Sequence, residues 1–595
     1  MNGFNGRIAR INLDTQKTTI ESPPEEYYRH YLGGRGFIVH TLLKEVPQKI
    51  DPYGPENKII FALGPITGHP FAGSGRNSVG CKSPLSGGFG ECEAGGYWGA
   101  ELKRAGYDGL IVEGISKKPV YLWINNGEIE IRSAAKLWGL AVADTQNAIR
   151  EELEDKKIRT AVIGPAGENR VRFACILNDC NHAAGRTGMG AVMGSKNVKA
   201  IAVRGQRPPK MADRKRLLEI NRWMLENFKE KSKFWKYGTG AGIAKFEETG
   251  NLPIRNFKGG RFPGAEKISA KLLCENYLEK MDSCFACPIR CKKRIKLEKP
   301  YEVDPVYGGP EYETLAALGS NCGIDDLEAI TKANELCNRL GLDTISTGGV
   351  IAFAMECFER HILDSKDTNG LDLTFGNARA MLEMVERIAR RQGFGDLLAE
   401  GTRRAAKTIG KGAIDYAMQV KGEEIPMHEP RFKQPLGLHY SMHVTGADHG
   451  TGINDSSTLD EESAKKLYEL GFSSQLSNYI GVCRFVPWSD QQLKDALECI
   501  TGWQMNSREL MDIVERGVAL ARIFNAREGF STEDDRLPKR FETTPSDGPL
   551  KGIDPKKLAL AQKAYYQMMG WDESGIPTRK KLADLKIAWA SEYLK

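Results

Sequence analysis

Three observations predict an α+β protein, with a β-rich N-terminal platform followed by two mainly helical domains. Residues 1 to about 205 carry short runs of β-branched residues with many glycines between them. Beyond Pro208-Pro209 the texture changes to long segments with helical periodicity. The 595 residues also exceed what one hydrophobic core supports, at roughly 100 to 200 residues per domain. The expected division is 1–208 as the β-rich platform, 209–415 as a mainly helical domain and 416–595 as a second one, the last boundary being set just before a Gly- and Pro-rich stretch.

In chain order, the runs from Arg7 to Leu13, Lys58 to Leu63, Gly109 to Val112, Val120 to Ile124 and Val198 to Val203 read as strands. Asn126-Gly127, between Tyr121-Leu122-Trp123-Ile124 and Ile129-Glu130-Ile131, is a hairpin signal. Helices are expected over Leu327 to Leu340, Ala378 to Arg391 and Ser507 to Asn525. The last opens with Ser507 as the N-cap, and Leu510, Ile513, Val514, Gly517, Val518, Ala521 and Phe524 share one face.

Composition narrows the class. Hydrophobic residues make up 41% and charged residues 27%, as in ordinary globular chains, and no eighteen-residue apolar run suggests a membrane span. The net charge of +7 is small and dispersed, which argues against nucleic acid as a partner. The chain starts directly in strand-like sequence, so a cytoplasmic location is expected. Thirteen cysteines in such a chain point to free or metal-binding thiols rather than a disulfide framework.

Cys284, Cys287 and Cys291 form a C-x2-C-x3-C triplet that a compact loop can aim at one metal centre. A four-iron cluster needs a distant fourth thiol, and Cys483 in Asn478-Tyr479-Ile480-Gly481-Val482-Cys483 is the candidate; a structural zinc shares the C-x2-C spacing. The basic run Lys292-Lys293-Arg294-Ile295-Lys296 beside the triplet suggests a docking patch for an acidic electron carrier, although such runs are more often solvated faces. The other cysteines have no metal spacing. Cys322, in Gly319-Ser320-Asn321-Cys322, stands out only for its closeness to Glu313.

Glycine clusters recur in the platform: Gly33-Gly34-Arg35-Gly36, Gly73-Ser74-Gly75-Arg76 with Gly87-Gly88-Phe89-Gly90, and Ala183-Ala184-Gly185-Arg186-Thr187-Gly188. Such loops leave backbone N–H groups open to an anion. None fits the dinucleotide fingerprint, which excludes a nicotinamide-binding reading.

These loops, with His182-Ala183-Ala184-Gly185-Arg186, Gly309-Pro310-Glu311-Tyr312-Glu313-Thr314, Gly341-Leu342-Asp343-Thr344 and Asn525-Ala526-Arg527-Glu528-Gly529-Phe530, resemble the tungsten-containing aldehyde ferredoxin oxidoreductases along the whole chain. The resemblance implies two pyranopterin dithiolenes sharing one tungsten, or molybdenum, Mg2+ bridging the pterin phosphates, and one [4Fe-4S] cluster. It places Arg76, Glu93, Gly95, His182, Ala183 and Gly185 at the pterins. Glu93 and His182 stand where the family has asparagine and arginine. Two paired pterin motifs correspond to Asn338-Arg339-Leu340-Gly341-Leu342-Asp343 and Asn478-Tyr479-Ile480-Gly481-Val482-Cys483, so Asn338, Leu342, Asp343, Asn478 and Val482 join the cofactor residues, both leading acids being asparagine here. It makes Glu313, with Glu311 as rival, and His449 the acid/base residues.

The activity implied is oxidation of an aldehyde to a carboxylic acid, with electrons leaving to ferredoxin or an iron-sulfur/flavin partner subunit; the sequence leaves open whether the chain forms a homo-oligomer. Two rivals stand beside it. One is the tungsten subunit of a dearomatising aryl-CoA (benzoyl-CoA type) reductase, in which Cys322 would ligate the metal. The other is an iron-sulfur electron-transfer subunit without a pterin platform.

Overall fold

The β-branched runs of the first third pair into two six-stranded sheets in the computed structural model, which describes residues 1–448, 450 and 458–594. The strands are β1 Ile8–Asn12, β2 Lys17–Glu21, β3 Ile59–Ala62, β4 Asn77–Lys82, β5 Phe89–Ala94, β6 Gly109–Glu113, β7 Val120–Asn125, β8 Glu128–Ser133, β9 Arg159–Ile163, β10 Ile176–Asn178, β11 His182–Ala184 and β12 Val198–Arg204. Their orders are β2-β1-β6-β3-β4-β5 and β11-β10-β9-β12-β7-β8. Within each sheet one pair is parallel, β1 with β6 and β7 with β12, and the remaining pairs are antiparallel. The expected strands therefore form, and β7 and β8 join through Asn126 at φ 48° and Gly127 at φ 103°. Positive φ at both positions is the hairpin geometry the Asn-Gly pair favours.

Side-chain alternation explains how the sheets stack. Ile59, Phe61, Leu110 and Val112 share an apolar core with Leu122, Ile124, Ile201 and Val203 of the other sheet. The opposite face of the first sheet, through Ile60, Ala62 and Phe89, faces the helices. On the far side of the second sheet, Tyr121, Trp123, Val162 and Ala202 pack against the helix Val142–Glu152.

The helices Leu327–Leu340, Ala378–Arg390 and Ser507–Glu528 form as their periodicity predicts. One boundary detail differs: the N-cap of the last is Asn506, whose side chain accepts from the Glu509 N–H, and Ser507 is the first helical residue. Asn and Ser cap about equally well, so adjacent cap formers leave the register open until tertiary packing selects one. The largest apolar core runs from Phe4 through residues of both helical segments to Ala590.

Two helix ends set the geometry of the site. Leu327–Leu340 stops at Gly341 and Glu461–Ile480 stops at Gly481, each with φ of 80°. Gly341 presses on Gly164, just after β9, and Gly481 on Gly64, just after β3. A Cβ on Gly64 would lie 2.1 Å from the Ile480 carbonyl carbon, and one on Gly164 2.2 Å from that of Leu340. Only glycine fits where a backbone stands at that distance. Among the described residues no helix is long and apolar enough to cross a membrane.

Candidate active site and cluster loop

Between the sheets and the two helix ends lies a cavity of about 1130 Å³. The cofactor residues expected from the sequence, far apart along the chain, line it together: Arg76, Glu93, Gly95, His182, Ala183 and Gly185 from the platform, Asn338, Leu342 and Asp343 from one helix end, and Asn478 and Val482 from the other. Cys284, Cys287, Cys291 and Cys483 border the same space, as do Glu311 and Glu313. His449 lies outside the described residues.

The cysteine triplet sits in the loop between β13 Leu278–Asp282 and β14 Lys292–Ile295. Its backbone is tied to the platform by Phe285 N–H donating to Gly96 O at 3.0 Å, and Gly95 is so close that a Cβ there would lie 3.0 Å from Cys284 Sγ. Cys483 arrives two residues after Gly481, held by its N–H donating to Gly73 O at 3.0 Å. The following segment is anchored by Trp488, stacked on Phe71 at 4.2 Å and donating from Nε1 to Ala72 O. Burial disfavours the Cys483 thiolate, but the Arg76 guanidinium, 3.3 Å from its sulfur, outweighs burial and lowers its pKa. Burial raises Cys284, Cys287 and Cys291. All thirteen cysteines are free, and this foursome comes from two separate segments of the chain.

The other helix end is built alike. Asp343 caps the helix Thr344–Glu359, accepting from the N–H groups of Ile345 and Ser346, and takes a charged hydrogen bond from Arg186 at 3.0 Å. Asn338 donates to Tyr307 O at 2.8 Å. Turned so that its oxygen faces Arg35, Asn478 accepts from that guanidinium at 3.2 Å and donates to Glu93 at 3.1 Å. Burial, then the neighbouring Glu91, raises Glu93 above the usual carboxylate range.

The two candidate acids have different surroundings. Glu311 is fixed between Lys292 at 3.1 Å, Lys293 at 3.7 Å and the Thr239 hydroxyl. Burial opposes its charge, but Lys292 and then Lys293 more than offset that and hold it down at about 2. A carboxylate so committed is a poor proton carrier at neutral pH. Glu313, in the first turn of the helix Tyr312–Leu318, accepts from Met427 N–H at 2.8 Å and stands 3.4 Å from His428 Nε2.

Three cavity residues escaped the sequence reading. Glu423 is 1% exposed, and burial, partly offset by Arg186, pushes its carboxyl up to about 8. His428 faces Glu313, with Asn251 3.2 Å from its other ring nitrogen. His443 is buried, which lowers its pKa well below the usual imidazole range. The signal for Glu423 was present: Glu423-Glu424 is an acid pair inside the apolar frame of Val420 and Ile425-Pro426-Met427.

One expectation needs correction, and the rival aryl-CoA reading finds no support at Cys322. The basic run beside the triplet is not an open docking patch: Lys292 and Lys293 serve Glu311, Lys293 being wholly buried, Arg294 pairs with Asp282 at 2.7 Å and Lys296 with Glu298 at 3.1 Å. Cys322 does not line the cavity. Burial raises its thiol well above the usual range, and Sγ lies 3.3 Å from Ala317 O inside the core.

A pterin dithiolene pair with phosphates would need donors and close backbone. His182 and Asn181 meet that need: neither His182 ring nitrogen nor Asn181 Oδ1 has a hydrogen-bond partner among the described residues, although both line the cavity. Burial, then Lys292, lowers His182 to about 3, so it presents a neutral ring. Buried polar atoms without partners are costly, and a polar cofactor at this wall would satisfy them. Four thiols bordering one space are the kind of donor set that a [4Fe-4S] cluster takes.

Comparisons with known proteins agree with this architecture. Residues 8–205 match the family model "Aldehyde ferredoxin oxidoreductase, N-terminal domain", and residues 218–587 match "Aldehyde ferredoxin oxidoreductase, domains 2 & 3". The chain is 39% identical to the tungsten-containing aldehyde ferredoxin oxidoreductase of Pyrococcus furiosus, covering 99% of this chain and 100% of that one. Its similarity to the Pyrococcus abyssi protein of the same description is also 39%, over 99% of both. Among solved structures, the active-site complex BamBC of benzoyl coenzyme A reductase with 1,5-dienoyl-CoA superimposes with a TM-score of 0.85 at 26% identity, covering 99% of this chain and 98% of that one.

Proposed function

The chain belongs to the aldehyde ferredoxin oxidoreductase family, and on that premise we propose that it oxidises an aldehyde to its carboxylic acid on a tungsten bis-pyranopterin, with a [4Fe-4S] cluster as the electron exit. The observation that carries this reading is the single cavity in which the pterin-loop residues, the four cysteines and Glu313 meet. Arg76, Glu93, Gly95, His182, Ala183 and Gly185 hold the platform side of the cofactor, Asn338, Leu342 and Asp343 one helix end, and Asn478 and Val482 the other. Mg2+ would be a further counter-ion for the phosphates of that cofactor. The division of labour follows 1–208, 209–415 and 416–595.

When bound, the pterin-held metal supplies two-electron redox chemistry and the cluster relays electrons singly. The chain's own residues handle orientation and protons. Conversion of an aldehyde and water to an acid releases two protons with two electrons, so the cavity needs proton acceptors beside the substrate. Glu313 is the residue for that role: its Oε2 is fixed by Met427 N–H, and its Oε1 faces His428 Nε2. Asn251 beside the other ring nitrogen supports the tautomer in which Nε2 carries the proton. Glu423, with its raised pKa, holds a proton that can be delivered to the same space. Glu311 instead positions Lys292 and Lys293 behind the cluster loop. His449 keeps the second acid/base role on the strength of its motif, Thr445-Gly446-Ala447-Asp448-His449-Gly450.

Electrons leave towards ferredoxin or an iron-sulfur partner. With the 292–296 run neutralised, the exit surface is formed by the segment covering the cluster loop. Phe228 and Phe234 pack beside Cys287, Cys291 and Cys483, Phe485 lies against Phe234, and Lys229, Lys231, Lys233 and Lys236 are exposed around them. An acidic carrier fits that basic rim.

Structural likeness to the benzoyl-CoA reductase complex keeps an aryl-CoA reading in view, but Cys322, its thiolate ligand in that reading, is committed to the core. Anaerobic assays with a viologen dye distinguish the two. Aldehyde-dependent dye reduction with acid formed in equal amount, lost by about 10²-fold or more in Glu313→Gln, is expected. Dye reduction with no aldehyde, or turnover of aryl-CoA esters alone, would contradict the proposal.

A further inference from the structure

We infer that His439, His443 and Asp448 form a binding site for one divalent cation of the zinc or ferrous class at the wall of the cavity, separate from the cysteine foursome. One ligand atom from each of the three lies within 4.8 Å of those from the other two. His439 and His443 are 4% and 6% exposed, and only Asp448 is partly open.

The local fold explains the grouping. His439 lies in the last turn of the helix Gln434–Met442 and His443 is its C-cap, with His443 N–H donating to His439 O at 2.9 Å. The i, i+4 spacing puts both imidazoles on one side, ring centres 5.1 Å apart. The chain then turns through Gly446, at φ 116°, whose N–H reaches back to His443 O at 3.3 Å. That turn returns Asp448, whose Oδ2 is 3.5 Å from His443 Nε2. The Thr445 hydroxyl, 2.9 Å from His443 Nδ1, steadies the ring from behind and leaves Nε2 as the atom facing Asp448.

Two imidazoles and one carboxylate are a donor set for zinc or ferrous iron, whereas magnesium and calcium prefer oxygen alone. Bonds of about 2.0 to 2.2 Å place neighbouring donors of a tetrahedral zinc roughly 3.4 Å apart. Closing the observed group by about an ångström is within reach of side-chain rotation, and the hydroxyl behind His443 is the kind of outer support that ligating histidines use. Three protein ligands leave at least one position open, and because His443 and Asp448 line the cavity that position faces the substrate space. The site does not depend on which metal or substrate the pterin centre uses.

The test uses the anaerobic holoenzyme, briefly treated with a mild chelator, incubated with zinc chloride, desalted and assayed for metals. One zinc per chain is expected in addition to tungsten and iron, with a zinc absorption edge whose scattering shows imidazole nitrogens. His443→Gln and His439→Gln should each bind zinc at least about tenfold more weakly while keeping iron and tungsten. No retained zinc in the wild-type protein, or zinc retained equally by His443→Gln, would overturn the inference. So would zinc at sulfur distance, about 2.3 Å, which would put it on the cluster cysteines. The absorption measurement on the wild-type protein decides the matter even if a variant fails to fold.

Discussion

The helices Leu327–Leu340 and Glu461–Ile480 both stop at a left-handed glycine, and both press that end on a glycine just beyond a platform strand. Two residues later their chemistry diverges. The first end delivers Asp343, paired with Arg186 at 3.0 Å, and the second delivers Cys483, with Arg76 at 3.3 Å from its sulfur. The backbone device is shared, as is the guanidinium waiting for an anionic group. The difference is what the anion does next: Asp343 caps the following helix and closes its half of the cavity, while Cys483 looks across to the triplet. A repeated mould can thus carry a structural acid in one copy and a metal-binding thiol in the other.

The comparison breaks most sharply at those two side chains. Cys483→Ala should abolish the cluster signal in electron paramagnetic resonance, because no other cysteine borders the triplet from that side. Asp343→Asn should keep the cluster, since asparagine still caps a helix, and lose roughly 1 to 3 kcal/mol of stability with the charged bond to Arg186. An intact cluster in Cys483→Ala, or a lost one in Asp343→Asn, would remove the functional asymmetry between the ends.

A smaller effect is expected at the glycines. Gly341→Ala and Gly481→Ala each force a side chain into the left-handed region at about 1 to 2 kcal/mol, and a Cβ on Gly481 would also meet Thr67 Oγ1 at 2.1 Å. Thr67 links Gly64 N–H to Arg76 O, so the strain reaches the Arg76–Cys483 pair. Iron content should fall in Gly481→Ala and hold in Gly341→Ala. Equal iron in both variants would mean that the helix end does not position Cys483.

The smallest effect concerns the outside of the cluster half. Changing Lys229, Lys231, Lys233 and Lys236 to glutamine should slow reduction of an acidic ferredoxin and flatten its dependence on salt, since exposed charges are screened over about 8 to 10 Å. Viologen reduction should be unchanged. Equal slowing of both acceptors would relocate the defect from docking to the cluster itself.

Much of this frame was legible in the sequence because its cues are local. The runs that became β3, β6, β7 and β12, the Asn126-Gly127 turn and the helix Leu327–Leu340 all follow from short-range pattern. Likewise the C-x2-C-x3-C triplet names its own loop. What the sequence hid depends on distant partners. The run from Lys292 to Lys296 looks like a solvent-exposed patch until Glu311 and Asp282 fold beside it. Glu311 and Glu313 look equivalent until the lysines claim the first and Met427 N–H and His428 meet the second. His428, Glu423 and His443 gain meaning only when three remote segments close one cavity.

In the proposed function this cavity couples aldehyde oxidation to the four-cysteine cluster. Its most direct test is to mix the oxidised, anaerobic holoenzyme with an aldehyde in the absence of any acceptor, freeze, and record the electron paramagnetic resonance spectrum. A reduced [4Fe-4S] signal should appear with the aldehyde, and should be absent in Glu313→Gln despite unchanged iron and tungsten content. Aldehyde consumed and acid formed without any reduced cluster signal would contradict it.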